Sequence, residues 1–598
     1  MYVIATAGHV DHGKSLLVRA LTGMEPDRWA EERRRGMTID LGFAWTALSD
    51  DRTVAFVDVP GHQRFVSNML AGVGPVPAVM LVVAADEGWR RQTGEHLAAL
   101  HALDVRHGVL VITRTDLADP EPAIRQAHEQ LVSTSLAGME TVAVSAATGA
   151  GIKQLREALG RLVAALPEPA ANAPTRLWVD RVFTVRGTGT VVTGTLGSGR
   201  IARGDELVLM PAGTPVQVRG LQSLKAEVAA ATATARVALS LRGVAVEEIR
   251  RGEALTGPGQ WTAVSTVDVR LVRPADRLAA RQVMHLGSAN VPCQVRRLGA
   301  DTARITLATP LPIHIGEHAL LRDPGLQRIV SGVVILDPDP PALNRRGSSV
   351  ARAQQLAELS GDADPAAEIR RRGSARRSRL VALGILAADG DPPASAVVSG
   401  DWLVDAAEWR AWADGLAVAV DSWAANHPAD QGLPREAAMR QTGVPDAALV
   451  TELVRADPTL ILDGRGIHRR GRSLLNGAVE QAVRVLERRL AESEFAAPEA
   501  AELLELGLTD RGLALAVGEG RLIRVTDGIF LRPGAVEEAL RRVRLLAQPF
   551  TLSEGRIALG TTRRVAVPLF ELMDDRGLTR RADDGRREIC RPVEGPGG

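Results

Sequence analysis

Apolar runs alternate with amphipathic segments over the first 168 residues. Runs of strand length are separated by segments whose apolar residues recur at helical spacing. This alternation is typical of a mainly parallel sheet covered by helices, and we place the first domain at 1–168. The predicted strands are Tyr2–Ala7, Thr53–Asp58, Val79–Ala84, Gly108–Thr113 and Thr141–Ser145, and the predicted helices include Lys14–Thr22 and Ile152–Ala165.

The pattern changes after a proline-rich linker at 166–174. Short runs rich in Val, Thr and Leu are separated by glycine turns, and helical periodicity almost disappears. Such runs are typical of antiparallel barrels. The length suits two small barrels, which we place at 169–257 and 258–338.

The rest of the chain is mainly helical, with a weak repeat of about 60 residues. Each unit shows a helix, a glycine-centred turn, a second helix and a hairpin, and Asp-Gly pairs between apolar residues mark the hairpin tips. A helix–turn–helix followed by a hairpin predicts a winged helix. We place four of them, at 345–403, 404–472, 473–535 and 536–594.

Composition and charge add limits to this picture. Hydrophobic residues make up 45% of the 598 and charged residues 24%, which is typical of globular domains. The lack of a run of about 20 apolar residues argues against a membrane span. Two cysteines and no leader sequence favour the reducing cytoplasm. A net charge of +1 gives no overall nucleic-acid signal, and no coiled-coil pattern suggests anything but a monomer.

The first candidate site lies between a predicted strand and a predicted helix. Residues 8–15 match the phosphate-loop motif G-x-x-x-x-G-K-S, whose backbone N–H groups bind phosphates together with the N-terminus of the next helix. We expect Lys14, one of three lysines in the chain, to bridge the β- and γ-phosphates, and Ser15 to coordinate Mg²⁺. The loop residues are Gly8, His9, Val10, Asp11, His12, Gly13, Lys14 and Ser15.

Two further segments complete a predicted phosphate and magnesium site. In Asp58-Val59-Pro60-Gly61-His62 we expect Asp58 to hold Mg²⁺ through water and Gly61 to donate its N–H to the γ-phosphate. Thr38 lies between these motifs, where a switch loop would place its hydroxyl on Mg²⁺.

The base-binding segments select guanine. Asp116, which ends Thr113-Arg114-Thr115-Asp116, can accept from both N1–H and the exocyclic amine of guanine, a donor pair that adenine lacks. Ser145 and Ala146 follow the next strand, where a supporting loop is expected. The sequence therefore predicts a multidomain protein with an α/β P-loop GTPase domain, two antiparallel β-barrels and a mainly α C-terminal array of winged helices.

Together these motifs resemble those of the translational GTPases. The resemblance implies that His62 positions the attacking water and that Val10 and Ile39 form an apolar gate in front of it. The family's guanine motif usually begins with Asn and has Lys second, where this chain has Thr113 and Arg114. We expect the Thr113 hydroxyl still to tether the loops, with weaker nucleotide binding.

Segments 27–44, 180–195 and 284–289 resemble the selenocysteine-specific elongation factor within that group. This resemblance implies that the protein delivers selenocysteyl-tRNA to the ribosome at UGA codons. Delivery would depend on GTP and would be directed by a selenoprotein mRNA hairpin. GTP or GDP and Mg²⁺ would be the cofactors. By motif, Asp180 and Arg181 would line the selenocysteine pocket; the alternative is that they form a structural ion pair.

Arginines concentrate in the final unit. Arg563 and Arg564 lie at the start of its second predicted helix, where the positive helix end adds to their attraction for phosphate. Arg580, Arg581, Arg586 and Arg587 lie on the predicted wing. We expect them to bind the RNA hairpin, although a solvated arginine face is the alternative. A DNA-binding regulator with a GTPase switch and a general elongation or initiation GTPase are the competing functions.

Overall fold

The computed structural model divides into two compact units, Met1–Ala406 and Ala407–Gly598, which are described separately. The predicted switch residues 27–37 and Ile39 lie outside the described residues. No helix in the described part of the chain is long and apolar enough to cross a membrane. The structure describes residues 1–26, 38, 40–48, 52–62, 65–74, 76–168, 171–272, 278–427, 432–464, 466–470, 475 and 477–590.

The first domain contains a six-stranded sheet with the order β2-β3-β1-β4-β5-β6. All neighbours pair in parallel except β2 and β3, which are antiparallel. The five predicted strands are confirmed, whereas the edge strand β2 was not predicted. The strands are β1 Tyr2–Gly8, β2 Gly42–Ala47, β3 Thr53–Asp58, β4 Ala78–Ala84, β5 His107–Thr113 and β6 Glu140–Ala143. The helices are α1 Lys14–Thr22, α2 Val66–Val73, α3 Arg91–Ala102, α4 Glu121–Leu131 and α5 Ile152–Ala165.

Two closed antiparallel barrels of six strands follow, as predicted. The first has the order β10-β15-β7-β8-β14-β11 and closes through β10 and β11; the second has the order β16-β19-β18-β17-β20-β21 and closes through β16 and β21. The strands of the first barrel and its additions are β7 Arg176–Val185, β8 Gly189–Ser198, β9 Arg200–Ala202, β10 Glu206–Met210, β11 Thr214–Ser223, β12 Ala226–Glu227, β13 Ala230–Thr232, β14 Ala235–Arg242 and β15 Ala254–Thr256. The second barrel contains β16 Ala263–Leu271, β17 Arg281–Leu286, β18 Ala289–Arg297, β19 Thr302–Pro312, β20 His318–Asp323 and β21 Arg328–Asp337.

A helical unit packs directly on the second barrel. Ile369, Leu380 and Leu383 share one hydrophobic core with barrel residues such as Val333 and Ile335. The first winged-helix unit is therefore part of the same compact body as the barrels. Its elements are α6 Ser348–Ala357, α7 Pro365–Arg372, β22 Ser374–Arg376, α8 Arg377–Ala382, β23 Ala396–Ser399 and β24 Trp402–Asp405.

Three further units follow, each with three helices and a two-stranded hairpin, one helix more than the repeat pattern showed. The last two share one core, because Val483 and Leu486 belong to the same buried cluster as Leu569 and Phe570. Their elements are α9 Ala406–Asn426, α10 Arg435–Thr442, α11 Ala447–Ala456, β25 Leu460–Asp463 and β26 Gly466–Arg469; α12 Gly477–Glu492, α13 Ala500–Glu505, α14 Asp510–Gly518, β27 Ile523–Thr526 and β28 Ile529–Leu531; and α15 Ala535–Val543, α16 Leu552–Leu559, α17 Arg563–Asp575, β29 Thr579–Arg581 and β30 Arg587–Ile589.

Candidate nucleotide, cargo and RNA sites

Two glycines let the loops of the nucleotide site approach each other. Gly8 has a φ of +133°, and a Cβ atom there would lie 2.2 Å from the Val82 carbonyl oxygen. A Cβ atom on Gly61 would lie 2.6 Å from the Val10 backbone nitrogen and 2.8 Å from Lys14 Nζ. Glycine is needed where backbone must pass this close. The phosphate loop and the loop after β3 are therefore in direct contact.

The Lys14 ammonium is buried inside the phosphate loop. Its Nζ donates to the His9 carbonyl at 2.6 Å and to the Gly8 carbonyl at 3.2 Å. Gly13 adopts a left-handed conformation directly before α1, which aims the N-terminus of that helix at the loop. The loop thus combines a buried positive charge with the positive end of a helix.

Three oxygen-bearing side chains meet beside the phosphate loop. Ser15 Oγ donates to Asp58 Oδ2 at 2.6 Å and lies 3.0 Å from Thr38 Oγ1. Thr6 Oγ1 donates to the other oxygen of Asp58 at 2.6 Å and fixes the carboxylate. Oxygen ligands of this kind suit Mg²⁺. The residues predicted to hold the metal are thus brought together, and Thr6 is an orienting residue that the motifs did not reveal.

His62 is half-buried at the end of the same loop. Its ring centroid lies 6.0 Å from that of Phe65, the residue before α2. Because Gly61 contacts Val10, His62 directly follows the point where the two loops meet. His62 thus lies beside the junction of the phosphate loop and the loop after β3.

Helix α3 supports the phosphate loop with two side chains that the sequence analysis missed. His96 Nδ1 accepts from the Gly8 N–H at 3.1 Å, and Gln92 Oε1 accepts from the Val10 N–H at 3.3 Å. Burial lowers the pKa of His96 to about 3, and the nearby Lys14 charge acts in the same direction. The imidazole is therefore neutral and able to accept. The spacing of four residues between two polar groups on one helix face was the available signal.

The predicted Thr113 tether is present. Thr113 Oγ1 donates to the His12 carbonyl at 2.8 Å and so joins the guanine segment to the phosphate loop. The neighbouring Arg114 donates to the Asp11 carbonyl and pairs with two acidic side chains, Asp86 and Glu87, each at 3.0 Å. Burial lowers the pKa of His12 to about 4, so its side chain adds no charge beside the phosphates at neutral pH.

The base-binding loops lie side by side at the carboxyl ends of β5 and β6. Asp116 is exposed, and the Thr115 N–H donates to the Val144 carbonyl at 3.3 Å. Ser145 is buried, and its Oγ accepts from the Thr148 N–H at 3.2 Å, which shapes the turn that contains Ala146. Asp116 is thus held at the surface by a braced pair of loops.

Asp180 and Arg181, the predicted pocket residues, have different partners. Asp180 is buried, and it accepts from Thr193 Oγ1 at 2.9 Å and from both terminal nitrogens of Arg236, one of them at 2.8 Å. Arg181 reaches across to the first domain, where its Nη2 lies 2.9 Å from Asp40 Oδ2. Asp180 and Arg181 therefore do not pair with each other, as the alternative of a structural ion pair would require.

A cavity of about 300 Å³ lies between the first domain and the first barrel. Its polar lining includes Arg236, Lys225, Glu25, Gln222 and Thr193, beside the aromatic rings of Phe43, Trp45 and Phe183. The described residues that line it do not include Asp180 or Arg181. Arg236 is therefore a charged residue of this cavity that the sequence analysis missed, and Asp180 holds its guanidinium in place.

The arginines of the last unit fall into two groups. Arg563, Arg581 and Arg586 are exposed, and Arg580 is exposed but paired with Glu588. Arg564 donates to the carbonyls of Ala497 and Pro498, so its guanidinium braces the preceding unit.

Arg587 differs from the other arginines of the wing. It is buried, with its Nε 2.8 Å from Asp574 Oδ2, and it lies over the Phe570 ring. Its charge is thus used inside the unit, and Arg587 is left out of the proposed RNA-binding surface.

Comparison with known proteins places these sites in a family. Family models match at three places: the Elongation factor Tu GTP binding domain at 1–165, Elongation factor Tu domain 2 at 189–256, and the winged helix of Elongation factor SelB at 544–587. A selenocysteine-specific elongation factor of Desulfomicrobium baculatum is 31% identical over 98% of this chain and 99% of its own length. This chain belongs to the selenocysteine-specific elongation factors.

Two further relatives agree with that assignment. The selenocysteine-specific elongation factor of Escherichia coli (strain K12) is 38% identical over 60% of each protein. A crystal structure of a bacterial selenocysteine-specific elongation factor shares the fold over 99% of this chain and all of its own, with a TM-score of 0.76 and 24% identity. As a selenocysteine-specific elongation factor, the chain is a translational GTPase, and its first domain binds guanine nucleotide.

Proposed function

We propose that this factor carries selenocysteyl-tRNA to the ribosome at UGA codons and that its last winged helix holds an mRNA hairpin. One observation carries the cargo assignment: the buried Asp180 carboxylate fixes Arg236 at the wall of a cavity beside the nucleotide domain. A selenol is ionised at neutral pH, whereas a serine hydroxyl is not. A fixed guanidinium in a partly apolar cavity therefore favours selenocysteine over serine.

GTP and Mg²⁺ fit the nucleotide site of residues 1–168. Lys14 and the backbone of residues 8–13 would hold the phosphates, and Asp116 the guanine, with Thr113, Ser145 and Ala146 shaping its loops. Ser15 and Thr38 would bind Mg²⁺ directly and Asp58 through water. When bound, the ion neutralises charge on the phosphates. His62 would orient the attacking water, and Gly61 would donate its N–H to the γ-phosphate.

The last unit supports binding of an RNA backbone. The exposed Arg563, Arg581 and Arg586 supply charges that can contact phosphates, and Arg563 does so at the positive end of α17. Such contacts release counterions, so affinity falls steeply with salt. We propose that the factor acts as a monomer in the cytoplasm. The barrels at 169–257 and 258–338 would cradle the tRNA. The winged helices would lie at 345–403, 404–472, 473–535 and 536–594.

A binding comparison tests this function against its competitors. The full chain is loaded with a non-hydrolysable GTP analogue and mixed with selenocysteyl-tRNA, an ordinary aminoacyl-tRNA or duplex DNA. A filter-binding assay then measures how much of each nucleic acid the protein retains. We expect tight retention of selenocysteyl-tRNA alone. Equal retention of ordinary aminoacyl-tRNA indicates a general elongation factor, and preferred retention of DNA indicates a regulator. Either result overturns the proposal.

A further inference from the structure

The loop after β4 carries two carboxylates that meet the second residue of the guanine motif. Arg114 Nη1 lies 3.0 Å from Asp86 Oδ2 and 3.0 Å from Glu87 Oε1. The other terminal nitrogen of Arg114, Nη2, donates to the Asp11 carbonyl of the phosphate loop. One guanidinium therefore joins three loops of the nucleotide site: the phosphate loop, the loop after β4, and the guanine motif that ends at Asp116.

The acidic pair, Asp86 and Glu87, lies on a loop that is itself well held. The Ala85 N–H donates to the Thr113 carbonyl at 2.9 Å, which fixes the start of this loop to the guanine motif. Glu87 Oε2 also lies 3.3 Å from Arg90 Nε, which steadies that carboxylate from the other side. The acidic pair is therefore in place to hold the arginine.

The backbone of Arg114 is held in an unusual conformation. Its φ of +56° lies in the left-handed region, which a residue with a side chain rarely adopts. Such a conformation persists where the surrounding contacts hold it in place. Here it lets the chain turn directly after β5, and the Leu117 N–H closes the turn on the Arg114 carbonyl at 3.0 Å. Asp116 lies inside this turn, so the position of Arg114 determines where the Asp116 carboxylate is presented.

The contacts suit an arginine better than the lysine that is usual in the motif. A guanidinium is a planar fork whose two terminal nitrogens can bind different partners, whereas a lysine ammonium is one compact centre. In Arg114, Nη1 faces the acidic pair and Nη2 faces the phosphate loop. Thr113 adds one hydroxyl bond to the neighbouring His12 carbonyl, at 2.8 Å. The arginine thus supplies a second tether beside that of Thr113.

We infer that Asp86 and Glu87 are positioning residues that hold Arg114 across the phosphate loop and so place Asp116 for guanine. This inference rests on the proposed role of Asp116 as the guanine contact. With the charges of the acidic pair present, the guanidinium stays at the Asp11 carbonyl and the turn around Asp116 is fixed. Without these charges the guanidinium is free to turn into water, and the turn loses a support. The acidic pair therefore sets how long a guanine nucleotide stays bound and how well its base is recognised.

The experiment uses the full chain and two nucleotides, GDP and inosine diphosphate. Inosine keeps the N1–H of guanine but lacks the exocyclic amine, so the preference for GDP measures how well Asp116 is placed. We expect the double variant Asp86→Asn, Glu87→Gln to release GDP about 10-fold faster in stopped-flow fluorescence, because it weakens charge-assisted contacts. Its preference for GDP, measured as a ratio of dissociation constants, should fall by about 3-fold. A general loss of stability would weaken both nucleotides alike and leave that ratio unchanged.

A mutant cycle tests whether the three side chains act together. Arg114→Met alone should accelerate GDP release at least as much as the double variant, because it removes the cation that both carboxylates share. Adding Arg114→Met to the double variant should cause little further acceleration, since residues in one network do not contribute independently. Effects on the rate that simply multiply would overturn the inference.

A matched control is available at the other end of the same sheet. Glu140→Gln breaks an exposed ion pair with Arg161 at the start of β6 and should change neither the rate nor the preference. Rates are compared at temperatures where thermal unfolding shows every variant to be folded. GDP release at the wild-type rate in the double variant, or faster release with an unchanged preference, overturns the inference. Equal binding of GDP and inosine diphosphate by the wild-type chain would instead contradict the proposed role of Asp116, and the inference with it.

Discussion

The first and the last winged-helix units have the same order of helices and hairpin, but they use arginine in different ways. In the first unit, Arg352, Arg371 and Arg372 point inward and meet carboxylates of the second barrel. In the last unit, several arginines stay at the surface, at a helix N-terminus and on the wing. Both units place a hairpin after their helices, although the first adds the strand β22, and they differ in where the arginine charge is used.

The junction of the first unit is a buried network of charges. Arg352 is 2% exposed and pairs with Asp268 at 2.7 Å and with Asp337. Arg304 pairs with the other oxygen of Asp268 at 2.7 Å, and Arg372 pairs with Asp337 at 3.1 Å. Both carboxylates are fully buried. Because these arginines are already neutralised, the unit serves as a fixed extension of the barrel.

The surface of the last unit keeps charge available. Arg563, Arg581 and Arg586 are exposed, and Arg586 Nε lies 3.7 Å from Oδ2 of the exposed Asp584. Arginine at such positions is free to exchange water for phosphate oxygens. The comparison teaches that a winged helix does not by itself imply nucleic-acid binding, since the placement of carboxylates decides where the arginine charge is used.

The largest expected effect is in the buried network. Asp268→Asn leaves Arg304 and Arg352 without a full counter-charge, and we expect a loss of about 3–5 kcal/mol in the free energy of unfolding of the barrel and the first unit. Urea unfolding of the full chain measures it. Asp301→Asn is the matched control, because its pair with Arg270 is half-exposed and worth at most about 1 kcal/mol. Equal losses in the two variants would show that the junction is not held by buried charge.

The next effect is on RNA affinity in the last unit. Replacing Arg563, Arg581 and Arg586 together by Ala should weaken binding of a selenoprotein mRNA hairpin by roughly 10- to 100-fold and reduce the salt slope by about 3. Fluorescence anisotropy over a salt series measures both quantities. The exposed Arg370 of the first unit provides the control, and Arg370→Ala should change neither of them. A slope that stays the same in the triple variant would place the RNA elsewhere.

A smaller effect separates the two uses of arginine within the last unit. Arg587→Met leaves Asp574 half-satisfied and should lower the stability of this unit by about 1–2 kcal/mol, since the carboxylate is only partly buried. At temperatures where the variant is folded, the RNA salt slope should equal that of the wild type. A reduced salt slope in this variant would show that Arg587 contributes to RNA binding.

The features that could be predicted from the sequence are those formed by residues in short motifs. The phosphate loop and Asp58 follow from short motifs next to strands, and the structure brings Ser15, Thr38 and Asp58 together as expected. His96 could not be found in this way, because it lies 88 residues from the Gly8 N–H that it accepts. Arg236 was missed for the same reason, since 56 residues separate it from Asp180.

Neighbouring arginines show a second limit. Arg586 is exposed and Arg587 is buried, although they are adjacent in a sequence rich in arginine. The difference depends on the register of β30, which places Arg587 opposite Arg581 and turns its side chain toward Asp574. A count of arginines in the sequence does not show how the strands of the wing pair. It therefore overestimates the number of arginines that are available to RNA.

The most direct test of the central claim compares two cargoes on one tRNA. The dissociation constants of the full chain for selenocysteyl-tRNA and for the same tRNA carrying serine are measured with a non-hydrolysable GTP analogue, for the wild type and for Arg236→Met. We predict a strong preference of the wild type for selenocysteine, and a loss of at least about 10-fold of that preference in the variant, because a charge-assisted contact is removed. Equal affinity of the wild-type chain for both cargoes would contradict the account.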